Sequence, residues 1–155
     1  MFRISTRTRY GLRALLELSK DENGKPVNLH NIAEKQNISH KYLESIFKLL
    51  KNNNIVRSVL GPGGGYQLKI SPDKLTLYKI IMAIDGPFST TDCVIDPLTC
   101  ENTDYCPARM FWVELQENIV LFLKSKTLRD IMNKKAFRRK IITKGDEIAN
   151  YSHSI

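Results

Sequence analysis

Residues 38–68 read ISHKYLESIFKLLKNNNIVRSVLGPGGGYQL and carry two periodicities joined by one turn signal. Ser39 has the short polar side chain of a helix N-cap, and Leu43, Ile46, Phe47 and Leu50 recur at the three-to-four spacing of an amphipathic helix. Beyond the asparagine run, IVRSVL and YQLKI are β-rich, and the turn GPGGG between them predicts a hairpin. The glycines do not make a phosphate loop. That motif needs Lys followed by Ser/Thr and a helix, whereas Tyr66-Gln67 and a strand follow here.

Working upstream, LHNIAEKQ places Leu29, Ile32 and Ala33 on one face, and Asn37 suits a helix end. Two short helices joined through Asn-Ile-Ser form a helix-turn-helix pattern. Residues 10–19 (YGLRALLELS) add a preceding amphipathic helix with apolar positions 12, 15, 16 and 18. Helix, helix-turn-helix and hairpin in that order are a winged helix. Downstream, TLYKIIMAIDG predicts a helix capped by Thr76 and stopped by Gly86. Residues 87–107, punctuated by Pro87, Pro97 and Pro107, read as an irregular loop. From Ala108 the chain is apolar on more than one helical face, through Phe111, Trp112, Leu115, Ile119, Phe122 and Leu123. Such a helix needs cover on two sides, so it predicts a homodimer. The expected fold class is mainly α with a small β-wing: a winged helix-turn-helix plus a long C-terminal dimerisation helix. The expected division is 1–86 for DNA binding, 87–107 for the cysteine loop, 108–132 for the dimerisation region and 133–155 for a basic tail.

The net charge of +8 is unevenly distributed. Residues 1–86 carry 14 Lys/Arg against 7 Asp/Glu, whereas residues 87–133 carry 4 against 7. A basic first half is the distribution that meets a polyanion, here a double-stranded DNA operator. The N-terminal part of the second helix of the pair enters the major groove, so Ser39, His40, Lys41, Tyr42, Glu44 and Ser45 are the candidate base-reading residues. Lys48 and Lys51, with Arg7 and Arg9 before the first helix, suit phosphates, and Arg57, Gly63 and Gly64 complete the contact set from the wing. No apolar run approaches the ~18 residues of a membrane span and no signal-peptide core is visible, so the expectation is a cytoplasmic protein without membrane contact. Nor is there a nucleophile with a base, a carboxylate pair or an open metal site whose context supports turnover; an enzyme is not expected.

All three cysteines lie within fourteen residues, as Cys93-x₆-Cys100-x₅-Cys106. Thiolates are soft ligands for an iron–sulfur cluster, zinc or copper(I), although gaps of six and five do not match structural zinc. Unligated or redox-switching thiols are the alternative. His30, His40 and His153 read as ordinary polar residues.

Residues 9–18 (RYGLRALLEL), 32–34 (IAE), 38–50 and 55–68 resemble the Rrf2 superfamily of winged-helix regulators, the IscR, NsrR and CymR group. ISxxYLE followed by GPGGGY carries most of that specificity, and the likeness extends to about residue 132. It implies a homodimeric transcription factor, acting as a repressor, on a two-fold-related operator, with Ser39, Lys41, Tyr42, Glu44 and Ser45 on the base-reading face. It also implies that Cys93, Cys100 and Cys106 hold an iron–sulfur cluster, two-iron ahead of four-iron. Two departures stand out. Leu60 replaces the arginine that IscR-like members carry before GPGGG, with Arg57 as a partial substitute. Arg109 occupies the IscR-like histidine position, and Arg7-Thr8-Arg9 the region of the NsrR-like acidic ligand, leaving Asp92, Asp96, Glu101, Asp104 or an external group as fourth ligand. The competing expectations are a cluster-free regulator under thiol or partner control, and a small iron–sulfur redox protein.

Overall fold

A computed structural model describes residues 4–20 and 24–133. The first helix, α1 (Thr6–Leu18), starts where Ser5 accepts a hydrogen bond from the Thr8 N–H at 3.0 Å. Helix α2 (Leu29–Gln36) is capped by Asn28 and ends at Asn37, whose left-handed φ of 52° turns the chain toward the next cap. Ser39 then accepts from the Tyr42 N–H at 3.1 Å and opens α3 (His40–Asn52). Strands β1 (Val56–Val59) and β2 (Gly65–Leu68) pair antiparallel, Val56 opposite Leu68 and Val59 opposite Gly65. Val27 bridges Tyr66, adding a short third segment at the base of the wing. Thr76 caps α4 (Leu77–Ile84), and Gly86 follows with φ 78°.

The core is built from the apolar faces read off the sequence. Leu15, Ile32, Leu43, Ile46, Phe47, Leu50, Ile55, Leu75, Ile80 and Leu128 are fully enclosed. Each such side chain contributes roughly 1.5–3 kcal/mol through burial. Phe47 meets Tyr66 edge-on at 4.8 Å, which seats the wing on α3. At Gly11 a Cβ would lie 2.4 Å from Ile84 Cδ1, so glycine permits the close approach of α1 and α4. The same pair is tied by Asp85, which accepts from Ser5 Oγ at 2.8 Å and Thr8 Oγ1 at 2.7 Å.

Two expectations need correcting. Helix α1 begins at Thr6 instead of Tyr10, because Ser5 supplies the cap; Arg7 and Arg9 therefore lie on the helix, not before it. The loop 87–107 is not wholly irregular: it holds α5 (Asp92–Ile95) and two single 3₁₀ turns, Pro97–Thr99 and Thr103–Tyr105. The region 108–132 comprises two helices. α6 (Pro107–Ser125) stops, Lys126 is extended, and a Thr127/Asp130 capping box starts α7 (Leu128–Met132). There the Leu77 N–H donates to the Lys126 carbonyl and the Leu128 N–H to that of Leu75, both at 2.8 Å, returning the chain to the winged-helix body. His153 and all but the first residue of the expected tail lie outside the described residues.

Candidate nucleic-acid interface and cysteine loop

Because Leu43, Ile46, Phe47 and Leu50 turn inward, α3 presents its other side to solvent. His40, Lys41, Tyr42, Glu44, Ser45 and Lys48 are all exposed there. Several are preset by local contacts. Ser45 Oγ donates to the Tyr42 carbonyl at 2.6 Å, and His40 Nδ1 lies 3.8 Å from Glu44 Oε1. Tyr42 meets Tyr10 of α1 edge-on at 6.0 Å, and the Arg13 guanidinium stands over the Tyr10 ring. Ser39 is exposed, but its hydroxyl oxygen is engaged as the cap of α3. Arg7 and Arg9 are exposed on α1, with Arg9 Nη2 donating to Thr6 Oγ1 at 2.9 Å.

On the wing, Arg57 is exposed and donates through Nε to Gln67 Oε1 at 3.0 Å, while Lys51 Nζ donates to Ser58 Oγ at 2.9 Å. Leu60 stands 93% exposed beside the turn. Gly63 is exposed with φ 77°, whereas Gly64 is half-buried, and a Cβ on it would come within 2.3 Å of the Val59 carbonyl oxygen. Gly64 is thus required by the hairpin itself, a role that the repeated glycines hinted at without distinguishing one from another.

The cysteine loop is tied to α6 by residues that sequence reasoning missed as positioning groups. Arg109 Nε donates to the Cys93 carbonyl at 3.1 Å. Gln116 holds two points at once, accepting from the Thr90 N–H and donating to the Phe88 carbonyl, each at 3.0 Å. Thr90 Oγ1 also reaches the Trp112 carbonyl at 3.3 Å. Within the loop the buried Thr103 hydroxyl lies 2.7 Å from the Pro97 carbonyl and 2.6 Å from that of Cys100. Cys93 and Cys106 are half-buried and Cys100 is exposed; all three are free thiols, and Cys93 Sγ lies 3.3 Å from Thr91 Oγ1. Asp92, Asp96, Glu101 and Asp104 are exposed. Among the described residues no three Cys, His, Asp or Glu side chains are gathered as a ready-made metal site.

Helix α6 divides its apolar residues between two faces. Leu123 is only 8% exposed, so it is covered within its own chain. Trp112 and Ile119 are half-buried. Phe111 and Phe122 are 58% and 56% exposed, Leu115 is also exposed, and Met110 and Leu121 extend the uncovered apolar surface beyond the residues singled out from sequence. No helix among the described residues is long and apolar enough to cross a membrane.

Comparison with known proteins fits this geometry. The family model described as Rrf2, iron-dependent transcriptional regulator, matches residues 4–134. The HTH-type transcriptional regulator IscR of Pectobacterium carotovorum is 35% identical over 133 residues, which cover 86% of this chain and 80% of the relative. The structure of CymR, the global cysteine regulator of B. subtilis, superposes with a TM-score of 0.72 at 34% identity, covering 86% of this chain and 98% of that one. T. potens IscR gives 0.69 at 28% identity, with 86% and 88% covered. These relatives are transcriptional regulators and not enzymes. The chain, a winged helix-turn-helix with a basic first half, belongs to the Rrf2 family of DNA-binding transcriptional regulators.

Proposed function

We propose that this regulator is a homodimeric repressor whose operator affinity is set by an iron–sulfur cluster on Cys93, Cys100 and Cys106. One observation carries the reading: the loop bearing every cysteine is fastened to the long helix α6 by Arg109, Gln116 and Thr90. The donor chemistry fits, with three soft thiols, none in a disulfide, confined to one short loop. Holding one centre would require the three thiolates of this loop to converge on it. A bound cluster, two-iron ahead of four-iron, would supply a centre reactive toward oxidants and nitric oxide, its fourth ligand coming from Asp92, Asp96, Glu101, Asp104 or outside the chain.

The remaining work falls to the protein. Ligation by these thiols would act on the Cys93 carbonyl, and through it on the Arg109 contact at the first turn of α6. In a dimer built on the exposed face of α6, that helix sets the separation of the two α3 helices. Half-sites lie about 34–36 Å apart, one turn of the duplex, so a small change in separation alters affinity. In each subunit Lys41, Tyr42, Glu44 and Ser45 face the major groove with His40 at their head, Lys48, Arg7 and Arg9 meet phosphates, and Arg57 with the wing turn flanks them.

Anaerobic purification with absorption spectroscopy and iron and sulfide analysis tests the reading. A coloured protein is expected, bleached in Cys93→Ala, Cys100→Ala and Cys106→Ala alike, with operator affinity differing about tenfold between loaded and cluster-free forms at one salt concentration. Equal affinities would defeat the sensor. A second reading, control by thiol oxidation or a protein partner without a cluster, is favoured by the exposed Cys100 and the likeness to CymR. It requires a colourless anaerobic protein whose operator binding still responds to thiol oxidants or to that partner.

A further inference from the structure

A cleft of about 520 Å³ opens between the end of α1, the base of the wing and α7, within the size range of small-molecule sites. Lys25, Gln67, Ser71 and Arg129 line it beside the apolar Leu68 and Ile70, and among the described residues no carboxylate does. The amide of Gln67 is committed at both ends, accepting from Arg57 and donating to the Gly24 carbonyl. Arg129 engages Asp73 through Nε at 3.1 Å and Nη2 at 3.5 Å, which leaves Nη1 uncommitted. Neither Lys25 Nζ nor Ser71 Oγ has a partner among the described residues. An ammonium without a partner among the described residues, the free Nη1 of an Asp73-paired guanidinium and a hydroxyl are thus available around one concavity whose apolar side is formed by Leu68 and Ile70. That combination recognises an organic anion: the charged groups take a carboxylate and the walls take its carbon skeleton.

The walls belong to parts that function needs to relate. On one side Gly24 is held by Gln67, and Val27 exchanges two 2.9 Å backbone hydrogen bonds with Tyr66, so that wall moves with the wing. On the other, the Arg129 N–H donates to the Pro72 carbonyl at 3.1 Å, and α7 follows α6 after the extended Lys126 and the Thr127 cap. We infer that this cleft binds a small organic carboxylate through Lys25, Ser71 and Arg129, and that its occupancy resets the wing against α6–α7 and thereby operator affinity. Only the second half of that statement rests on the operator-binding reading above.

The test uses the full-length protein with acetate, succinate and citrate as probes, and sodium chloride and inorganic phosphate at matched ionic strength as controls. At least one carboxylate should raise Tm saturably, with its apparent Kd weakened about tenfold or more in Lys25→Ala and in Ser71→Ala. Both side chains are exposed, so the variants should keep the wild-type Tm without probe. The same carboxylate should change operator affinity by roughly fivefold or more. Absence of a saturable shift with all three probes, survival of the shift in both variants, or an equal effect of phosphate would overturn the site. Saturable binding that leaves operator affinity unchanged would overturn the regulatory half. If Lys25→Ala weakens operator binding without any probe, Lys25 is a phosphate contact and the small-molecule assignment fails. Failure of the DNA reading is separable, since wild-type protein would then bind no duplex while the thermal-shift arm stands unaffected.

Discussion

Gly64 sits where a Cβ would stand 2.3 Å from the Val59 carbonyl oxygen and 2.8 Å from that of Gly61, while its own N–H donates to Gly61 at 2.9 Å. The obstacles are backbone atoms that cannot swing away. Gly64→Ala should therefore cost about 1–3 kcal/mol in chemical denaturation, the range for forcing extra atoms into a filled site, and should weaken operator binding through the wing. Glu17 offers a second test at this scale. Its buried carboxylate takes Lys20, Lys35 at 3.2 Å and the Gln36 amide at 3.2 Å. The hydrogen bond from Lys20 chiefly holds its carboxyl below the usual glutamate range; desolvation opposes this and Lys35 reinforces it. A folded-state value below the unfolded one contributes stability above the ordinary glutamate range, and that contribution is lost as pH falls through the folded value. The unfolding free energy of the wild type should accordingly drop more steeply with acidification below the ordinary glutamate value than that of Glu17→Gln, as followed by urea titrations at successive pH values.

At the scale of elements, α6 looks uniformly apolar in sequence but is asymmetric in the fold. Leu123 is buried within its own chain, whereas Phe111 and Phe122 remain more than half exposed. The two classes should respond differently to mutation. Phe111→Glu with Phe122→Glu should shift the protein to monomer in analytical ultracentrifugation while leaving the Tm of the winged-helix body intact. Leu123→Ala should instead destabilise the fold by about 2–4 kcal/mol and leave association at native temperature unchanged. A dimer indifferent to both phenylalanines would remove α6 as the interface. Helix α3 lacks this ambiguity, because its four inward residues alone account for its covered side.

Across the whole molecule, the cysteine loop and α6 are linked through hydrogen bonds between segments distant in sequence. Gln116 contacts Thr90 and Phe88, 26 and 28 residues earlier, and Arg109 contacts Cys93, 16 residues earlier. If the cysteine loop controls operator affinity through α6, cutting this tie should uncouple the two without emptying the loop. Gln116→Leu should retain the absorption spectrum of the loaded protein while narrowing the difference in operator Kd between loaded and cluster-free forms by about fivefold or more. An unchanged difference would show that coupling runs by another route.

The alternation of periodicities in residues 38–68, together with Ser39, Asn37 and Thr76 as caps and stops, determined the winged helix, because those signals act between residues close in sequence. The clustering of cysteines and the basic first half likewise marked the two surfaces where chemistry is proposed. Tertiary structure alone decided which face of α6 is left uncovered, that the chain breaks at Lys126 to place Leu128 in the core against Leu75, and that Arg109 and Gln116 hold the loop. These outcomes depend on packing and hydrogen bonds across long sequence separations, which leave no periodic trace in the segments that make them.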